Sequence, residues 1–367
     1  MINQPLSIVE KMTAFLSTYL VTEADVVGDG RFIYKTNALI RSHALGNFKE
    51  LVKKISIDPG MLIYLNGYLN SSGKPDENYS RELQELFTQG KGEDSKYTED
   101  DVKAAARLLT GYTFDSVNIS YKFNPNKHDT GDKQFSSYYN NTLITGKTGA
   151  AGEQELDELI DMLFNTEEAA KFFVRRLYNY FVYYDISQAE EDNIITPLAD
   201  LFRSSNYEIK PVLEALLNSE HFYDTLNVGC VIKSGYDLVI GALRQFEVGF
   251  SPSSNYVAQY SQWSQMRIQL IILQHDPGAP PNVAGYPAYY QAPQFHEIWI
   301  NSVTLPARQS WTARMLSNGY TVSGFKVIID PIAYAMTLDN PGDPNTLVAE
   351  SVFLLFGLPV STDALDF

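Results

Sequence analysis

A chain of 367 residues, 44% of them apolar, has enough hydrophobic surface for one large or two modest cores, which excludes global disorder. Its 44 acidic against 28 basic residues give a net charge of −16, which argues against a nucleic-acid backbone as partner and against polyanionic substrates without a local basic patch. The single cysteine, Cys230, excludes an intrachain disulfide and a cysteine-built metal cluster, and no apolar run reaches the roughly 18 residues of a membrane-spanning helix.

In chain order, Met1 to Pro5 has neither the basic nor the apolar region of a signal peptide. Pro5 to Val21 carries Ile8, Met12, Phe15, Leu16 and Leu20 at helical spacing. Gly28-Asp29-Gly30 lacks the spacing of a dinucleotide fingerprint and is expected to be a turn. Helices are predicted over Thr36–Ser42 and Asn47–Ile55, with Asn47 as N-cap and with Arg41 and His43 at their junction.

Met61 to Leu69 is apolar enough for a core, and the polar run Asn70 to Pro75 must turn. Glu77 to Gln89 reads as a two-faced helix. At about 100° per residue, Tyr79, Leu83, Leu86 and Phe87 fall on one side, while Asn78, Arg81, Glu82 and Glu85 form a separate polar stripe. That stripe either lines a polar pocket or faces water with Arg81 and Glu85 as an i,i+4 pair.

Thr98 is expected to cap a helix whose first turn holds Glu99, Asp100 and Asp101, the acidic complement of a helix N-terminus. Residues from about 113 to 152 lose helical periodicity, with Tyr112–Phe114 and Ser120–Phe123 expected as one small hairpin. The run His128-Asp129-Thr130-Gly131-Asp132-Lys133 pairs an imidazole with carboxylates, the donor set of a divalent-cation site, although a tight turn uses the same residues. Gly146-Lys147-Thr148 is no phosphate loop, because Asn141 stands where the first glycine is required.

Four helical patterns follow from Glu153 to Leu217, one of them capped by Thr166, and short loops argue for antiparallel neighbours. Helices are then predicted over Ile232–Phe246 and Gln262–Gln274, from Trp299 onward past Arg308 and Trp311, and over Leu347–Phe356. Between them lies a Pro/Gly-rich loop from about 275 to 297, whose prolines hold Asn282 at low entropic cost. The fold class expected is mainly α, a single multi-helix domain over 1–367, orthogonal or bundle-like, with long irregular loops and the hairpin near 112–124.

DENYSRELQELFTQG followed by YTEDDVKAAARLLTGYTF resembles the core motif of the bacterial family named domain of unknown function 1800, in which runs near NENFARELMELFTLG and YTExDVxxxARxLTGW recur. RSHALGNFKELVKKISIDPGML, HDTGDK, PPNVAGYP and WINSVTLPAR extend the likeness in the same order over nearly the whole chain. Two departures stand out: Tyr286 replaces the Trp of the family's PPNVxGWP run, and Phe15 to Leu20 replaces its FWHNHF run, so both histidines are gone. The resemblance implies an extracytoplasmic, periplasmic or secreted protein, with this chain as an N-terminally shortened copy.

No G-x-S-x-G, H-E-x-x-H or G-x-G-x-x-G motif is present. The candidate binding residues are Arg41, His43, Asn78, Arg81, Glu82, His128, Asp129 and Asn282. Two functions are expected to compete. In one, a cell-envelope binding or assembly protein holds a small ligand, a glycan or an envelope protein in a polar pocket. In the other, Glu82 or Glu85 serves a hydrolase as general base beside His128, with His128 and Asp129 holding a divalent cation.

Overall fold

The computed structural model describes residues 1–2, 4–356, 360–361 and 363. The chain is mainly helical, and the strands among its described residues form three small antiparallel hairpins. It divides into two compact units: one of Ser7–Ser219 with Gly278–Tyr286, the other of Met1–Leu6, Glu220–Pro277 and Pro287–Phe367. Among the described residues no helix is long and apolar enough to cross a membrane.

The unit built on Ser7–Ser219 begins with α1 (Val9–Tyr19) and α2 (Ala24–Val27). Gly28 ends α2 at φ 72°, and the Asp29 carboxylate accepts the Arg31 amide to start α3 (Gly30–Ser42), well ahead of the predicted Thr36. The turn is a helix stop followed at once by a cap. Asn47 caps α4 (Phe48–Ser56) and Asp58 caps α5 (Pro59–Tyr64). Then α6 (Asn78–Glu82) runs directly into a π-helical turn, Leu83–Thr88. Thr98 and Asp101 form a capping box on α7 (Glu99–Leu108).

The predicted hairpin is present as β1 (Tyr112–Asp115) and β2 (Ser120–Phe123), with Tyr112 opposite Phe123. A second, β3 (Lys133–Gln134) with β4 (Leu143–Ile144), is too short to show alternation in sequence. The remaining helices are α8 (Glu155–Phe164), α9 (Glu167–Phe181), α10 (Gln188–Glu190) continuing through a π turn into α11 (Thr196–Ser204), and α12 (Ile209–Leu217). Their core is aromatic: Phe173 lies 4.3 Å from Phe48 and 4.7 Å from Phe202, ring centre to ring centre, with Phe15 and Tyr19 around it. The segment Gly278–Tyr286 returns to this unit, where Gly278 accepts the Ala24 amide. Gly285, at φ 91°, passes so close that a Cβ would sit 2.3 Å from the Thr18 carbonyl oxygen.

In the other unit, Ser234 and Asp237 box the start of α13 (Gly235–Gln245). Asn255 caps α14 (Tyr256–Ile272), which therefore begins ahead of the predicted Gln262. Phe295–Trp299 is a single 3-10 stretch, and α15 (Thr304–Ser317) follows Asn301, whose side chain accepts the Val303 and Thr304 amides. A two-residue turn at Ser323 and Gly324, both with positive φ, joins β5 (Tyr320–Val322) to β6 (Phe325–Val327). α16 (Pro331–Ala335) and α17 (Pro344–Phe356) complete the described helices. Val239, Leu243, Met266, Leu270, Trp311 and Met315 form the centre of this unit's core.

Candidate functional site

The segment Asn78–Gln89 departs from the regular helix its periodicity predicts. From Leu83 the turn widens, so Thr88 Oγ1 and the Gln89 amide bond to carbonyls five residues back, Leu83 O and Gln84 O. A π turn takes one extra residue and rotates everything after it. Leu83 and Phe87 stay inward as expected, but Leu86 is only half-buried while Gln84, Thr88 and Gln89 are buried. Those amides make the segment a hub. Gln84 Oε1 accepts the Tyr139 hydroxyl at 2.8 Å, and Gln89 Oε1 accepts both Tyr138 (2.8 Å) and Thr166 (2.9 Å) while its Nε2 donates to Leu163 O at 3.0 Å. Sequence reasoning missed both glutamines, because polar residues at the margin of an apolar stripe read as surface.

The polar stripe itself is divided. Asn78 donates to Leu65 O, and Arg81 bonds Glu77 at 2.9 Å and Glu99 at 2.7 and 2.8 Å. The expected Arg81–Glu85 pair is absent; Glu85 pairs with Lys91 instead. Glu82 is half-buried, and its Oε2 is shut off from solvent with no hydrogen-bond partner. Burial, and then the Glu85 charge, push the Glu82 carboxyl above its ordinary value, against the weaker pull of Lys91 and Arg81. Tyr64 and Tyr97 share this field: burial first, then Glu23 and Glu82 for Tyr64 and Glu85 for Tyr97, push each phenol up to about 12.

The HDTGDK turn exposes Thr130, Gly131 and Asp132 and folds its two ends, His128 and Lys133, into a buried ionic knot. Lys133 and Glu155 are both 0% exposed, with Lys133 Nζ 2.6 Å from Glu155 Oε2 and also donating to Asp129 O. His128 Nδ1 lies 3.0 Å from Thr110 O, and its Nε2 lies 3.1 Å from Glu155 Oε1 without the alignment of a full hydrogen bond. Burial pushes the Glu155 carboxyl up, but the close approach of the His128 ring and the hydrogen bonds from Lys133 and the Lys147 amide outweigh it, and the group titrates below its ordinary value. Asp129 takes Arg107 Nε and Nη2 at 2.8 and 2.9 Å and the Gly131 amide at 2.9 Å.

No hydrogen bond or ion pair joins His128 or Asp129 to Glu82 or Glu85. Among the described residues, no three His, Cys, Asp or Glu side chains are grouped to hold a metal ion. Elsewhere, Arg41 bonds Glu10 at 2.7 and 3.2 Å. His43 ends α3, its Nδ1 3.0 Å from Leu39 O and its Nε2 accepting from Lys54 at 3.0 Å. Asn282 accepts the Ala284 amide within the Pro/Gly-rich loop.

What the hub holds in place is an open cleft of about 460 Å³, lined by Asp94, Tyr138, Asn140, Asn165, Thr166, Glu167, Glu168, Lys171 and Arg203. Tyr138 and Thr166 reach it from Gln89. Thr166 also caps α9 by accepting the Ala169 amide, which sets the first turn of that helix along the wall. Glu168 bonds Arg175 at 2.6 Å, and the same guanidinium lies 3.7 Å from Asp94. Lys171, half-buried, makes no hydrogen bond or ion pair among the described residues. None of the residues lining this cleft was among the sequence candidates, since it is assembled from four separate stretches with no shared pattern.

No curated protein and no solved structure matches this chain. A family model described as protein of unknown function (DUF1800) matches residues 1–366, and the motif that forms the hub, the HDTGDK knot and the Pro/Gly-rich loop all fall within that match. The chain belongs to the DUF1800 family.

Proposed function

We propose that this protein is a binding or assembly factor of the cell envelope, periplasmic or secreted, whose ligand lies in the cleft beside Tyr138, Asn165 and Lys171. The observation that carries the reading is a ligand-sized cleft with polar walls, in which the side chains of Lys171, Asn140 and Asn165 make no hydrogen bond or ion pair among the described residues. The fold uses none of these groups for its own hydrogen bonds, so their donors and acceptors are available to a ligand. The extracytoplasmic placement rests on the family resemblance, and the net charge of −16 keeps nucleic acid off the partner list. The test is a thermal-shift screen of polar metabolites and envelope fragments against the wild type and Lys171→Ala. Ligands that stabilise the first and not the second are expected; hits that stabilise both equally would place binding elsewhere.

One observation favours a hydrolase as the second reading. Glu82 holds a carboxyl of raised proton affinity next to Glu85, the kind of pair in which one member donates and the other accepts a proton. Its support stops there, because a cation on His128 and Asp129 would have to displace Thr110, Glu155 and Arg107 from the ligating atoms. Glu82→Gln assayed with ester, glycoside and peptide substrates, with and without added divalent cations, decides it. Loss of a metal-stimulated turnover would favour this reading over the first.

A further inference from the structure

Charges of both signs line the cleft. Asp94, Glu167 and Glu168 face it with Lys171 and Arg203, and Arg175 stands directly behind Glu168 and Asp94. Glu167 lies 3.8 Å from Arg203, so each carboxylate already has a guanidinium within reach and no strong field of one sign remains. An anion approaching Lys171 meets three carboxylates; a cation approaching Asp94 meets the ammonium and two guanidinium groups. This interleaving of signs, with Arg175 also held by Glu191 at 2.6 Å, disfavours selection by charge.

What the walls offer instead is hydrogen bonding. The side-chain amides of Asn140 and Asn165 have no partner among the described residues, and each presents two donors and one acceptor oxygen. Asn140 sits at φ 56° at the end of a 3-10 turn, which puts it at the cleft rim rather than in a helix. Lys171 adds three donors, and Asp94 and Glu167, largely exposed, add acceptor oxygens. Tyr138 has its hydroxyl anchored on Gln89 Oε1, which leaves its ring as a fixed apolar surface, and Tyr97 lies 6.5 Å away, ring to ring.

Resting on the binding reading above, we propose that the cleft takes an uncharged polyhydroxylated ligand, a short glycan segment. Each hydroxyl both donates and accepts, so neighbouring hydroxyls can serve an amide, the ammonium and a carboxylate together without adding charge. The C–H face of a sugar ring has the apolar body that a tyrosine ring packs against. The openness of the cleft suits a chain that enters and leaves rather than a ligand that must be enclosed.

The experiment is saturation-transfer NMR on the full chain with three neutral probes: cellotetraose, maltotetraose and tetra-N-acetylchitotetraose. Glutamate, spermidine and citrate form a parallel charged set. Lys171→Ala and Asn165→Ala are run alongside; both remove side chains that hold nothing in the fold, and far-UV circular dichroism checks that each stays folded. Transfer to at least one tetrasaccharide is expected, with binding about tenfold weaker in each variant, the loss of one good hydrogen-bond set. Transfer only to a charged probe, lost in the same variants, overturns the glycan assignment and keeps the binding role. Transfer to no probe, or transfer that both variants leave unchanged, overturns the proposal and the use of this cleft together.

Discussion

Glu155 is fully buried between the Lys133 ammonium and the His128 imidazole, and its worth to the fold depends on that arrangement being complete. Breaking a buried pair leaves a charge uncompensated, which costs about 3–5 kcal/mol, whereas replacing both partners by apolar groups of similar size is often neutral. Glu155→Gln is therefore expected to lose about that much in urea unfolding, and Lys133→Met with Glu155→Leu to recover most of it. The pH dependence has a definite sign. With its folded value below the ordinary 4.5, Glu155 contributes stability that is present above 4.5 and lost as the pH falls through the folded value. Wild type should thus lose stability more steeply in acid than Glu155→Gln. Glu82 behaves in the opposite sense: its raised value means that ionisation as the pH climbs works against the fold. Carboxyl carbon NMR should place its midpoint above 4.5, and Glu85→Gln should bring it part of the way back, burial accounting for the remainder. A midpoint unmoved by Glu85→Gln would remove the electrostatic coupling between them.

At the scale of elements, the hub segment is locked at its exit by Gly90. It has φ 78°, and an added Cβ would meet Phe172 Cδ2 at 2.7 Å. The left-handed backbone alone costs a non-glycine residue about 1–3 kcal/mol, and the ring must also shift. Gly90→Ala should lower the thermal midpoint accordingly, while Gly73→Ala, with nothing within 4 Å of its added carbon, should stay within about 0.5 kcal/mol of wild type. The caps Asn47, Thr98 and Thr166 were visible in the sequence, because capping is settled by a residue and its neighbours three positions on. The β5–β6 hairpin was legible too, with alternating Tyr-Thr-Val and Phe-Lys-Val around Ser-Gly, and was passed over. The π turn was not legible. Leu83, Leu86 and Phe87 satisfy an ordinary helical stripe, and nothing in that spacing records that one extra residue is accommodated. Arg81 with Glu99 and Lys133 with Glu155 pair across 18 and 22 positions, so their choice over nearer partners depends on how whole elements pack. The cleft is the extreme case, since Asp94, Tyr138, Lys171 and Arg203 share a wall only after α9 and α11 have docked.

Across the whole molecule, apolar side chains are buried to very different degrees, and Phe173 and α17 mark the two ends of that range. Phe173 is 0% exposed and touches aromatic rings on every side, while α17 buries none of its residues and leaves Phe353 74% and Phe356 65% exposed. Stability per aromatic ring must follow that difference, because the gain comes from area removed from water and from contacts at close-packed distance. Truncating a buried Phe to Ala costs about 3–5 kcal/mol, whereas surface substitutions fall within about 0.5 kcal/mol. The sequence supplies a way to read each unit by itself. Trp263, Trp299 and Trp311 are the chain's 3 tryptophans, and all belong to the unit that contains α17. Tryptophan fluorescence therefore reports that unit alone, while far-UV circular dichroism reports the helices of both. Phe353→Ala is expected to leave the fluorescence transition in urea where it is in wild type. Phe173→Ala is expected to move the dichroism transition to markedly lower denaturant, or to split it into two steps if only the unit holding Phe173 gives way. A fluorescence transition displaced by Phe353→Ala as far as the dichroism transition is by Phe173→Ala would mean that α17 is covered in solution, and that its apolar residues contribute as a core rather than as a surface.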